Sequence, residues 1–202
     1  MHISEGVVAA PVLVAGAAAA AAGCAVGLRK MDYQNTPKVA VLSSAFFVAS
    51  LVHIPIGPTS AHLVLNGLVG ILLGWITFPA VLVGLLLQAI LFQFGGITTL
   101  GVNTVVMAVP AIVCYLLYSR IIRSRYAAGA AIGGFFAGAT GILLAVILVA
   151  LSLLSTGEQF TNVARLFLLA HVPVMVIEGI VTAFIILFLR KIKPELLGGD
   201  IR

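Results

Sequence analysis

Seven long apolar runs, separated by short polar or proline- and glycine-bearing breaks, limit what this chain can fold into more than any other feature. They cover residues 6–28, 39–54, 61–76, 79–95, 105–118, 127–154 and 166–189. A helix that crosses the hydrocarbon core of a bilayer needs roughly 20 mainly apolar residues. Only 8% of the chain is charged, against about 25% in soluble domains, so the runs have little polar surface to turn towards water. No strand-like alternation is visible, which argues against a membrane β-barrel. The expected fold is an all-α polytopic membrane protein: a bundle of seven transmembrane helices forming one domain over residues 1–202. The alanines at 17–22 would let neighbouring backbones approach the first helix closely.

The charges predict an orientation. Arg29, Lys30 and Lys38 follow the first run, Arg120, Arg123 and Arg125 the fifth, and Arg190, Lys191, Lys193 and Arg202 the seventh. With seven spans these breaks share one side and hold ten of the eleven Lys and Arg residues, leaving Arg165 opposite. Lys and Arg concentrate in cytoplasmic loops, so the N-terminus is expected outside and the C-terminus in the cytoplasm. The net charge of +5 reflects this bias rather than an affinity for nucleic acid.

Missing motifs exclude several activities. Without a Walker A loop the chain does not hydrolyse ATP itself. HExxH and GxSxG are absent as well, and no nucleophile–base pair is visible, so the chain is not expected to be an enzyme. Cys24 and Cys114 lie inside apolar runs and read as small packing residues.

The informative residues are then the polar ones at the outer face and inside the membrane. No secretory leader precedes the first run, and the bulk of His2 is expected to keep Met1 in place. Such a start offers three nitrogens in sequence: the Met1 amine, the deprotonated His2 amide and His2 Nδ1. They close a five- and a six-membered chelate ring and leave one planar position open, a pattern suited to Ni(II) or Cu(II). The plainer alternative is an ordinary histidine on a frayed end. His53 and His62 flank the outer loop 54–61, stiffened by two prolines, and His171 lies about a turn into the seventh run on the same side. Four imidazoles on one face are a metal signal, set against the ordinary liking of histidine for interfaces. Glu178 follows His171 by seven residues and shares its helix face two turns away. It either orients a liganding imidazole or bonds a neighbouring helix, and Pro173 kinks the same helix or frees a carbonyl. Asn103 falls in the polar break 98–104 and is a candidate lid. Gln88 and Asn66 read as interhelical hydrogen-bonding residues.

Four stretches carry a family resemblance: Met1-His-Ile-Ser-Glu-Gly6, His53-Ile-Pro-Ile-Gly-Pro-Thr-Ser-Ala-His-Leu-Val-Leu-Asn-Gly67, Gln88-Ala-Ile-Leu-Phe-Gln-Phe-Gly-Gly96 and Leu100-Gly-Val-Asn-Thr104. Together with His171 and Glu178-Gly179 they resemble the substrate-binding membrane subunits of nickel and cobalt energy-coupling-factor transporters, the NikM/CbiM family. The resemblance covers essentially the whole chain. It implies a seven-helix substrate-binding domain in a prokaryotic cell membrane. It also implies a site where the Met1 amine, the His2 amide and imidazole, and His62 hold the metal in a plane with His53 nearby. The implied substrate is Ni(II), or Co(II), with no organic cofactor, and the wording from His53 to Pro58 leans to nickel. Planar nitrogens discriminate against Mg(II) and Ca(II), which seek oxygen, and against tetrahedral Zn(II). The implied partners are a transmembrane coupling subunit (T component), two cytoplasmic ATPases (A components) and often a small accessory membrane subunit. Two other functions compete: a proton-coupled metal carrier with His171 and Glu178 as relay, and a non-transporting structural subunit of a membrane complex.

Overall fold

The computed structural model describes residues 2–51, 53–56 and 59–198. In chain order these form α1 (Ala10–Arg29), α2 (Thr36–Ala49), strands β1 (His53–Ile56) and β2 (Thr59–His62), α3 (Asn66–Leu73), α4 (Thr77–Phe92), α5 (Leu100–Ile122), α6 (Ala127–Leu154), α7 (Thr161–Ala170) and α8 (Val172–Ile192), with short 3-10 turns between some of them. Five helical stretches among the described residues are long and apolar enough to cross a bilayer: 10–29, 66–92, 100–122, 127–154 and 158–192. The helical, membrane-type architecture expected from the apolar runs is present, with one addition, the antiparallel hairpin β1–β2.

The boundaries differ instructively. Run 127–154 is α6 end for end. Run 6–28 begins helical only at Ala10, behind Pro11, which suits a first helical turn because its missing N–H would have no partner there. Run 61–76 becomes a helix only at Asn66, because Leu65 takes a left-handed conformation (φ 54°) that a helix cannot contain. The stretch 66–92 is one apolar block by composition but two helices in space: the chain turns at Gly74, and Thr77 Oγ1 reaches back to the Val69 carbonyl at 3.4 Å. Run 166–189 is divided at His171, since Pro173 has no N–H to carry α7 into α8.

α6 is the central post, packed most extensively on α8 and next on α5. Its buried face is largely Gly and Ala, including Gly134, Ala137, Gly138 and Gly141. Apolar side chains gain little by leaving lipid, so close backbone contact over small residues is what holds such helices together. α3 is buried along its whole length between α5 and α6. At Gly70 a Cβ would strike the Ala111 carbonyl, which is backbone and cannot swing aside. Gly70→Val is therefore expected to cost about 3 kcal/mol by overpacking, read as a drop of several degrees in the thermal unfolding midpoint in detergent.

Candidate functional site

Residues 2–9 form a non-helical strap before α1 that turns at Glu5–Gly6, held at the end of the bundle where α4 and α6 finish and α5 starts. Asn103 accepts from the Ile3 N–H (2.9 Å) and donates from Nδ2 to the Ile3 carbonyl (3.0 Å) and to Thr99 Oγ1 (3.2 Å). This side-chain amide satisfies both backbone groups of Ile3 as a β-ladder would, and the Ile3 side chain is buried in the main core. Further along the strap, Glu5 Oε1 accepts from the Thr98 N–H (3.1 Å) and hydroxyl (3.3 Å), and the Ala9 N–H donates to Thr156 Oγ1 (3.3 Å). Gly95, at φ 80°, lets the α4–α5 loop lie against the strap. A Cβ there would meet Asn103 Nδ2 at 2.8 Å.

His2 is half-buried, its ring stacked on Phe94 at a centroid distance of 6.0 Å. Its Nε2 hydrogen-bonds Gln88 Oε1 at 2.6 Å. Gln88 thus engages Nε2, and the other ring nitrogen is Nδ1. That is the nitrogen able to close a six-membered ring with the backbone amide of its own residue.

Two sequence readings are corrected here. Asn103 is no loop residue or lid; it lies in the first turn of α5, buried, with the strap as its partner. The polar residues that make 98–104 look like a break have internal partners, as Thr104 Oγ1 does on the Leu100 carbonyl (2.8 Å). Gln88 meets the terminal histidine rather than another helix. Asn66 behaves as expected, its Nδ2 donating to Gly141 O of α6 at 3.2 Å.

The hairpin register sets His53 directly opposite His62. Past β2, the chain is anchored by Glu178 of α8. One carboxylate oxygen accepts from the Val64 and Leu65 N–H groups and the other from Leu65 (3.1 Å). The carboxylate thus caps the entry to α3, where the N-cap residue Leu65 has no polar side chain of its own. Of the two roles open to Glu178, the structure shows a backbone anchor two residues beyond His62.

His171 is buried at the α7–α8 junction. Its Nδ1 bonds the Phe167 carbonyl at 2.7 Å, replacing the helical bond that is lost there, and its ring lies 4.1 Å from that of Phe167. Its Nε2 is buried without a hydrogen-bond partner among the described residues. His171 and Glu178 hold separate backbone partners and share no hydrogen bond among the described residues, so the relay pairing is not observed. Met1 lies outside the described residues, and among those described no three His, Cys, Asp or Glu side chains converge as a metal-holding group.

The strap is clamped by amides of α4 and α5, and the hairpin is rooted through Val64 and Leu65 on Glu178 of α8. Residues 2–196 match the family described as CbiM, cobalt uptake substrate-specific transmembrane region. The chain belongs to the CbiM family. Relatives include a putative metal transport protein of Haemophilus influenzae, 42% identical over 98% of this chain and 97% of that one. The cobalt transport protein CbiM of Sorangium cellulosum is 33% identical over 84% and 81%. The fused nickel transport protein NikMN of Rhodobacter capsulatus is 33% identical over 98% of this chain, which spans 64% of the fusion's length. A solved transition metal transporter shares the fold with a TM-score of 0.76 and 26% identity, covering 95% of this chain and 93% of that one. As a CbiM-family member the chain is a multi-pass protein of the prokaryotic cell membrane and a component of cobalt/nickel transport rather than an enzyme.

Proposed function

We propose that this chain captures Ni(II), and less selectively Co(II), as the substrate-binding subunit of an ATP-driven importer of the energy-coupling-factor type. The ligands are the Met1 amine, the His2 amide and Nδ1, and the His62 imidazole, with His53 beside it. The observation that supports this reading is the strap: Asn103 fixes the Ile3 backbone while Gln88 engages His2 Nε2, the ring nitrogen that the proposed chelate does not use. The pairing of His53 with His62 supports a second imidazole source one strand away. Counting α3 as a half-length pass gives seven passes, with the terminus outside. The gathering of Lys and Arg at the opposite end supports a cytoplasmic C-terminus. ATP hydrolysis then belongs to two ATPases reached through a transmembrane coupling subunit, with a small accessory membrane subunit alongside.

The test is Ni(II) binding by the purified chain with its natural start, beside a chain with one extra residue ahead of Met1. Four-ligand protein metal sites gain about 10–16 kcal/mol, so loss of one ligand is expected to weaken binding about a hundredfold or more. Tight binding by the natural start alone supports the amine as ligand. Equal binding by both chains removes Met1 from the site, and binding by neither ends the capture reading.

A further inference from the structure

The end of the bundle away from the strap gathers cations that no carboxylate answers among the described residues. Lys30 follows α1, Lys38 lies in the first turn of α2, and Arg123 follows α5. All three line a cavity of about 250 Å³ beneath the reversal at Gly74 and the turn at Pro194–Leu197. Among the described residues the ion pair is Lys193–Glu195 at 3.4 Å, which involves none of them. Lys38 Nζ donates to the Leu196 carbonyl at 3.3 Å and Arg123 Nε to the Leu197 carbonyl at 2.8 Å, while Lys30 Nζ sits 5.2 Å from the centre of the Trp75 ring.

Lys38, Leu72 and Leu196 also line a second cavity, a groove of about 610 Å³ between α2, α3 and α8. Its walls include Val41, Ala45, Leu68, Ile185 and Leu189. A cationic pocket at the bundle end therefore continues into an apolar groove along the helices.

We propose that the joined pocket and groove bind an anionic phospholipid, its phosphate among Lys30, Lys38 and Arg123 and an acyl chain along the groove between α2 and α8. The argument rests on the multi-pass reading and not on the metal site. Basic pockets between membrane helices suit anionic headgroups, and a guanidinium fork matches phosphate oxygens. A water-soluble anion would use the cations and leave the groove empty; a neutral lipid would use the groove and leave the cations unanswered. The anionic phospholipid uses both.

The full chain in detergent would be titrated with dioleoyl phosphatidylglycerol, dioleoyl phosphatidylcholine and inorganic phosphate, with retention read by native mass spectrometry and by thermal midpoint. Phosphatidylglycerol is expected to be retained in preference and to raise the midpoint. Lys38→Gln and Arg123→Gln are each expected to weaken its binding about fivefold. Lys191→Gln, the same charge change outside the pocket, leaves it unaltered. Lys30→Gln keeps the test open if the other two variants fold poorly, because the Lys30 ammonium makes no hydrogen bond among the described residues. Ala45→Trp fills the groove and is expected to weaken phosphatidylglycerol binding with the cations intact. Equal retention of the two lipids by the unaltered chain overturns the proposal, as does full retention in the pocket variants. A midpoint raised as much by inorganic phosphate as by phosphatidylglycerol makes this a free-anion pocket and overturns the lipid assignment.

Discussion

Asn103→Leu is expected to weaken Ni(II) binding about a hundredfold while the helical bundle keeps most of its thermal stability. The substitution strands the Ile3 N–H and carbonyl, both of which the Asn103 amide now satisfies. An unpaired buried polar group costs about 1–3 kcal/mol, so the strap gains by lifting away into water rather than staying buried. The helices keep their direct contacts with one another, because residues 2–9 precede α1, and the stability lost is that of Ile3 and Val8 leaving the core. Metal binding then has to re-dock the strap, and the apparent affinity falls by the fraction of chains in which it is docked. A penalty of about 3 kcal/mol corresponds to a factor of about 150. Calorimetric titration with Ni(II) reads the affinity, and protection of the strap against an aminopeptidase reads the docking. Asn103→Asp, able to accept from Ile3 but not to donate, should fall between. Unchanged affinity in Asn103→Leu would show that capture does not depend on the strap.

Glu178→Ala is expected to damage stability and capture together. It removes the acceptors of the Val64 and Leu65 N–H groups deep in the bundle. Two orphaned donors cost about 2–6 kcal/mol, and the thermal midpoint in detergent should fall by about 10 °C. Glu178→Gln keeps the volume and one accepting oxygen, and should recover part of the loss. Where the Ala variant is still folded, its Ni(II) affinity should also be reduced, because the released backbone lies two residues beyond His62. A lowered midpoint with normal affinity would confine Glu178 to stability and would remove the hairpin root from the site.

The parts legible in the sequence were those set by local pattern. α6 could be read to the residue because an unbroken apolar run stands between Tyr126 and Ser155, and the break at His171 was foreshadowed by Pro173. The start of α3 was not legible. The left-handed turn at Leu65 is held by a carboxylate more than a hundred residues away, and nothing near Leu65 marks it. Gln88 and Asn103 were misread for the same reason. A single amide in an apolar run announces that it needs a partner, but not which one. The proposed terminal chelate stands out because its nitrogens are consecutive in the chain, whereas the groups that hold the strap are scattered over α4, α5 and the end of α6.

That scatter has a consequence for biosynthesis. The strap leaves the ribosome well ahead of its partners at Gln88, Asn103 and Thr156, and the hairpin root waits for Glu178 in the helix Val172–Ile192. Contacts so distant along the chain close late. A nascent chain halted before α8 holds the first of the proposed ligands but lacks the Glu178 anchor of the hairpin root. On the proposed ligand set, competence to take up an ion would arrive only with the final insertion step, and half-made chains would not sequester a scarce metal.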